Sequence, residues 1–427
     1  MSKILVISHD CFSDQNANGK TLKALLSHYD KSQLIQFYTG VDSPDFSKAE
    51  SYFRVTDMQM IKSFFKSQNY IISDTENMAD KGPIVKVRNS SVWNFLKKLN
   101  YNFFFRTSRE LLWKLSFSWR KSFYKWIEEH KPNAILYMVG DSFATDNLVR
   151  NIARRYNLPI ILFNVEAYKI INLKERKWLD RLFYSINEKS YRKFFDYKHL
   201  TIYNSKDLKE SYKAFYSISN EQSLIVYNTS DFDTAPYVVK QNHIINIVYF
   251  GNLGVGRVGS LIDIADVLKV LDRNIVIDVY GYVEGNDKHL LESHERINYH
   301  GLVSAEELIQ IKENSDILLQ VESFDESIRK KLRFAFSTKI AQCLCSGRCV
   351  LSYAPLETAS TQYLINSDAA VVVTNKEDLK QTLINLINDG ELRLVYSEKA
   401  IQTAKTNHDI LSLGKYVYDY INDYCQN

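Results

Sequence analysis

Short apolar runs alternate with amphipathic stretches along almost the whole chain. This is the pattern of strands buried on both faces and joined by crossover helices. In the first half the runs Ile4–Ser8, Leu34–Tyr38, Ala134–Val139, Pro159–Asn164, Leu200–Tyr203 and Leu224–Tyr227 predict strands, with helices between them such as Gly19–Tyr29 and Phe143–Tyr156. The rhythm breaks at Asn228–Asn242, NTSDFDTAPYVVKQN, which has turn residues, a proline and no clear period, and reads as an interdomain linker. It then restarts. Strands Asn246–Phe250, Ile275–Tyr280, Asp316–Gln320, Cys349–Ser352 and Ala370–Val373 bracket helices Gly259–Leu271, Ala305–Asn314 and Thr338–Cys345, and Lys376 to about Tyr424 is helical. The expectation is an α/β chain of two Rossmann-like, doubly wound domains at 1–237 and 238–406, closed by a helix at 407–427. Two such units in series would face each other across a cleft, with ligands outside the carboxyl ends of the strands.

Composition narrows this. A length of 427 residues suits two domains of roughly 200 each. A net charge of +4 is too mild to imply a nucleic-acid partner. Five cysteines, three of them bunched at Cys343, Cys345 and Cys349, make a poor disulfide framework and fit a reducing cytoplasm. With no second Cys/His pair nearby, the bunch reads as small buried side chains rather than a zinc site. The chain opens on an apolar strand without a signal-peptide h-region. It also lacks a stretch of 18 uncharged apolar residues, so any membrane contact is expected to be peripheral, on the inner face.

One segment departs from the alternation. Residues 86–131 carry eleven Lys/Arg against three Glu, together with Trp93, Trp113, Trp119 and Trp126. Leu112, Leu115, Trp119, Phe123 and Trp126 recur at helical spacing while Lys114, Arg120, Lys121 and Lys125 fall elsewhere. Two readings fit: a basic helix with an aromatic face lying on an anionic membrane surface, and a core-facing stripe with a solvated basic back.

Chemistry concentrates in the second half. Phe250-Gly-Asn-Leu-Gly-Val-Gly-Arg257 follows a strand and precedes a helix. Its glycines, Gly254 among them, let backbone approach a ligand, the helix start attracts anions, and Arg257 offers a fork that matches phosphate oxygens. Further on, Ser337 or Thr338 stands where a helix begins and could cap it. Lys339 places a cation in the first turn, which is unfavourable to the helix dipole unless an anion sits nearby. In the first half, Asp141 and Glu166 each follow a strand and are candidate catalytic acids; a helix cap and an exposed loop acid are the plainer alternatives. Asp231-Phe-Asp233 mimics a metal-binding D-x-D but lies in the linker, so no metal is expected. Asn18-Gly19-Lys20-Thr21 mimics the end of a P-loop, but Asp14 occupies the required upstream glycine. Asn16–Lys20 is read instead as a first-strand loop lining the acceptor side of the cleft.

These segments together resemble the retaining, family-4-like GT-B glycosyltransferases of bacterial surface-polysaccharide pathways. IVYFGNLGVGR, IDVYGYV, INYHGLVSAEELIQI, SDILLQVES and STKIAQCLCSGRCVL follow that family's order and spacing over nearly all of Ile244–Val373. The match is looser over ILVISHD, LPIILFNVEAY, HLTIYNSKDL and VYNTSD. The resemblance implies that Gly254 and Arg257 face a donor diphosphate and that Gly281 ends a strand beside the nucleotide. It implies that His300, Gly301 and Leu302 flank the base, and that Ser337, Thr338 and Lys339 hold the phosphates. The family's glutamate pair falls on Phe334 and Gln342; Gln342 can still bond a ribose hydroxyl, and Glu322 or Glu326 stands in for the missing acid. The reaction implied by the resemblance is transfer of a sugar from a nucleoside-diphosphate sugar, a substrate and not a cofactor, to a glycan or lipid-linked glycan. A GT-B nucleotide-sugar epimerase and a non-catalytic GT-B partner subunit share the same outline.

Overall fold

The computed structural model describes residues 3–426 apart from 64, 67, 74–102, 172–176, 220–221, 241–243 and 272–273. The chain divides into two compact units, Met1–Val226 with Gly414–Asn427, and Tyr227–Leu413.

The first unit is built on a sheet of order β4-β3-β2-β1-β5-β6-β7-β8. Its strands are β1 Ile4–Ser8, β2 Leu34–Tyr38, β3 Ser51–Arg54, β4 Ile71–Ile72, β5 Ala134–Met138, β6 Ile160–Asn164, β7 His199–Tyr203 and β8 Ser223–Ile225. All pair in parallel except β4, which runs antiparallel to β3. β1, β2, β5 and β6 are buried along their whole length, as strands covered on both faces must be. Strands β3 and β4 escape the periodicity, because SYFR and a single Ile-Ile are too short to show one.

The second unit holds β9 Ile247–Phe250, β10 Ile277–Tyr280, β11 Ile297–Gly301, β12 Ile317–Val321, β13 Cys349–Tyr353 and β14 Val371–Val373. They form an all-parallel sheet of order β11-β10-β9-β12-β13-β14. The linker is part of this unit. Asp233 meets the buried amine of Lys312 at 2.7 Å, Thr234 Oγ1 donates to the Ser346 carbonyl at 2.7 Å, and Arg348 Nη1 donates to the Ala235 carbonyl at 2.9 Å. The change of unit therefore falls after Val226 and not at 237. These contacts also neutralise Asp233 with a lysine. The carboxy-terminal helix Ile410–Gln426 likewise joins an existing unit: Tyr418 packs its ring 4.7 Å from that of Tyr29 in the first.

The described part of the basic aromatic segment forms helices Phe103–Leu115 and Ser118–His130; Lys86, Arg88, Trp93, Lys97 and Lys98 lie outside the described residues. Trp113, Trp119, Phe123 and Trp126 are all buried. Their rings pack with Phe37 of β2 and Phe53 of β3 at centroid distances from 4.8 to 6.4 Å. The aromatic part of the stripe is core, not a lipid-facing surface, while Leu115 is about half exposed; Lys114, Lys121 and Lys125 are the solvated back of ordinary amphipathic helices, and Arg120 is half-buried.

Candidate functional site

In the second sheet β9 and β12 are neighbours whose onward connections run in opposite directions, β9 toward β10 and β12 toward β13. A crevice opens outside the carboxyl ends of such a pair. The glycine loop after β9 forms one wall. Val255, with φ +62°, and Gly256, with φ +72°, are both in the left-handed region, and for a β-branched residue that conformation costs about 1–3 kcal/mol. A side chain at Gly256 would press on Ser323 Oγ at 2.6 Å. Helix Arg257–Val270 therefore starts directly at the crevice, with Gly256 as a cap that has no side chain to offer.

Arg257 lies there, but its fork closes on Glu322, just past β12. Nη2 and Nε stand 2.9 and 3.0 Å from Glu322 Oε2, and both side chains are largely buried. Gln320 Nε2 also donates to Glu322 Oε1 at 3.2 Å. Of the two acids that could stand in for the missing glutamate, the fold brings Glu322 to the crevice. Glu326 does not fit the catalytic role: it is exposed on helix Glu326–Leu332, where its partner Lys330 at 2.9 Å holds it below the usual carboxylate range.

The opposite wall is helix Thr338–Cys345. Ser337 occupies its cap, but its side chain makes no capping bond, and its own N–H donates to Ser360 Oγ at 3.0 Å. The expected Ser337 side-chain cap is absent, so the first-turn N–H groups are not closed off by it. Lys339 is 7% exposed. Its amine sits 3.7 Å over the Tyr249 ring and has no hydrogen-bond partner among the described residues. Burial pushes its pKa down to about 7, with nearby Arg257 acting in the same direction and Cys343 and Glu322 against it. Its stem lies 3.5 Å from where a side chain on Gly251 would begin, directly beneath the glycine loop. Buried amines are costly without a partner, and this one has none among the described residues to offset that cost. Gln342, one helical turn on, is half-buried, while Thr338 is exposed.

The remaining predicted donor residues separate. Gly281 has φ +151°, and a Cβ there would stand 2.1 Å from the Gly251 carbonyl. Only glycine lets the ends of β10 and β9 come this close. Its N–H donates to the Gly301 carbonyl at 2.7 Å. His300 stacks on Tyr280 at 4.6 Å and bonds Asp278 Oδ1 at 2.7 Å. It lines a groove of about 470 Å³ with Gln310 and Asn314, while Leu302 is exposed at the end of β11.

The first unit has its own strand-order reversal, between β1 and β5. Asp141 follows β5 and pairs with Arg106 at 2.8 Å; the helix cap after it is Ser142, not Asp141. Glu166 follows β6, and burial alone pushes its carboxyl up to about 7. Tyr168 is held above its ordinary pKa by burial first and then by the charges of Glu166, Asp141 and Asp10. Sequence reasoning misses Asp10, Arg106 and Tyr168; the Asp after the first strand is the one available signal. Asn18, Gly19 and Lys20 lie inside helix Ala17–Leu25 and not in a loop. Asn18 Nδ2 donates to Asp10 Oδ2 at 2.7 Å. Gly19 is glycine for packing: a Cβ would be 2.6 Å from the Cys11 carbonyl. Lys20 points to solvent.

The sequence matches no family model, and no curated protein matches it. Solved structures do match over the full chain. HepE of Anabaena, in complex with UDP, is 9% identical with a TM-score of 0.61, covering 99% of this chain and 100% of HepE. A glycosyltransferase from Rickettsia africae is 12% identical with a TM-score of 0.63, covering 100% and 99%. WaaG, a glycosyltransferase involved in lipopolysaccharide biosynthesis, is 13% identical with a TM-score of 0.57, covering 98% and 99%. Two parallel-sheet α/β domains joined in this order are the fold of the GT-B glycosyltransferases, and that is the fold of this chain.

Proposed function

We propose that the protein is a metal-independent, retaining glycosyltransferase that takes a nucleoside-diphosphate sugar in the crevice of its second unit and transfers the sugar to a hydroxyl of a glycan or lipid-linked glycan. One observation carries the reading: a buried amine, Lys339, without a hydrogen-bond partner among the described residues, in the first turn of a helix whose cap residue offers it no side-chain bond, beneath a glycine loop. Ammonium, helix start and loop amides converge where the leaving diphosphate's charge develops, so they stabilise the transition state more than the ground state. HepE, of the same fold, was solved with UDP bound. Arg257 joins the diphosphate by sharing its fork with Glu322. In the first unit Glu166, a carboxyl that titrates near neutrality, has the pKa expected of a group that moves a proton for the acceptor. Retention rests on the family resemblance of Ile244–Val373. The buried free thiols suit a reducing cytoplasm as the site of action.

Calorimetric titration with UDP and GDP tests the reading, followed by detection of free nucleoside diphosphate from a matching sugar donor. Saturable binding that depends on Lys339 is expected. Absence of binding by any nucleoside diphosphate would overturn the donor site.

A further inference from the structure

The four helices Phe103–Leu115, Ser118–His130, Phe143–Tyr156 and Trp178–Arg192 of the first unit enclose a pocket of about 510 Å³, inside the ~300–1,000 Å³ range of small-molecule sites. Much of its wall is rings and branched chains, among them Phe117, Trp119, Tyr124, Phe143 and Ile186, with Asn147 and Asn151 as uncharged polar members. Two buried donors on this lining, Trp119 Nε1 and Arg120 Nε, have no acceptor among the described residues. The rest of the Arg120 head is engaged: Nη2 donates to the Trp113 and Lys114 carbonyls at 3.1 and 3.3 Å, and the guanidinium lies 4.7 Å over the Phe117 ring. Buried donors nearly always find an acceptor, and both of these belong to residues that line the pocket. Lys114 adds an exposed cation to the lining. The one acid there, Glu110, accepts the Ala144 N–H at 2.7 Å, and burial pushes its carboxyl up to about 7, which limits its negative charge near neutrality. Two of these helices also leave Leu111, Leu115 and Leu182 about half exposed, so apolar surface continues outside the pocket.

We propose that this pocket binds the hydrocarbon chain of an anionic amphiphile, with the phosphate of that amphiphile against Arg120 and Lys114. On the functional reading above, the amphiphile is the lipid end of the acceptor; the pocket itself does not depend on that reading. The aromatic and branched walls take the chain, and the cations of Lys114 and Arg120 on the lining take the charge that a plain hydrocarbon lacks.

The test titrates the full chain with monomeric farnesyl phosphate, followed by tryptophan fluorescence and calorimetry, with farnesol and inorganic phosphate as controls. Ile186→Glu and Lys114→Glu are the variants; both side chains are largely exposed, so both variants should fold. Saturable binding of farnesyl phosphate is expected, weakened about tenfold or more in each variant and in farnesol, the size of one charge-assisted contact. UDP affinity should stay unchanged in both variants. Wild-type affinity in the variants would overturn the site. Equal binding of farnesol and farnesyl phosphate would overturn the phosphate placement. Binding only to vesicles of anionic lipid, and not to the monomer, would overturn the pocket in favour of a surface. If wild-type protein binds farnesyl phosphate but no nucleoside diphosphate, the donor reading fails while the pocket stands.

Discussion

Both units reverse strand order near their middle, and both collect charged side chains at the carboxyl ends of the strands that flank the reversal. The charge is opposite. After β1, β5 and β6 stand Asp10, Asp141 and Glu166, whose charges all raise the Tyr168 pKa, with Arg106 as counter-charge to Asp141. At β9 and β12 they bring Arg257 and Lys339, with Glu322 as the one acid. Topology makes a crevice in each case, and the side chains decide what it can hold. In each crevice one group is left without a charge partner that fully offsets its burial, and that group titrates near neutrality: Glu166 in the first, Lys339 in the second. On the proposed reading the first group moves a proton and the second holds an anion.

This contrast can be broken at several points. The largest effect is expected for Glu166→Gln, which should lower turnover by roughly 10²–10⁴-fold, the range for a lost acid–base group, while leaving UDP affinity unaltered. As a base, Glu166 must be ionised, so wild-type turnover should rise with pH through about 7 and the variant should lose that limb. A steady-state pH profile decides it; a variant with near wild-type turnover would leave the first crevice without its proton carrier.

Lys339→Met comes next. It should weaken UDP binding by about 1.5–3 kcal/mol, the worth of hydrogen bonds to a charged group. The folded amine, with a pKa of about 7 against an ordinary 10.5, holds fewer protons than the unfolded chain between those values. Its burial penalty is therefore full below pH 7 and is relieved as pH rises toward 10.5. The Met variant should be more stable than wild type near neutrality, and this advantage should fade at alkaline pH. Wild-type UDP affinity should fall above pH 7, where binding must recruit a proton, and that slope should be missing in the variant. Calorimetry and thermal melts across pH read both; a pH-independent wild type would refute the buried-amine account.

Glu322→Gln should produce a smaller, opposite change. Removing the carboxylate that holds Arg257 frees its fork for phosphate, so UDP affinity should rise by about threefold, a fraction of one charge-assisted contact, at some loss of melting temperature because the guanidinium stays largely buried. Unchanged affinity would mean that Arg257 is structural. Glu326→Gln is the reference point, with no measurable change in melting, binding or turnover expected from an exposed side chain. A loss of activity there would return Glu326 to the catalytic set.

The strands of the second unit other than β11, and the main strands of the first, were legible because a buried parallel strand is apolar along its whole length and each is bounded by turn residues; β11, INYHG, lies at the sheet edge with polar residues at alternate positions and shows no apolar run. The glycine loop and the helix start at Thr338 were legible for the same local reasons. Periodicity could also show that Trp113, Trp119, Phe123 and Trp126 shared a face. It could not show what covered that face, because lipid and the rings of Phe37 and Phe53 ask for the same side chains. Nor could spacing reveal that Glu322, 65 residues beyond Arg257, would close on its fork, or that Asn18 to Lys20 would be wound into a helix whose Gly19 touches the Cys11 carbonyl.

The sequence by itself thus determined the architecture: two doubly wound α/β units, with glycines and helix starts at the strand ends of the second. Hydrophobic period and turn chemistry are local properties, written in consecutive residues. Only the tertiary structure decided which charges are paired and which are left alone. Lys339 is distinctive because no described hydrogen-bond acceptor reaches its amine, and Glu166 because burial is not offset. Both conditions depend on what long-range packing brings within a few ångströms, where Coulomb and desolvation energies change most steeply.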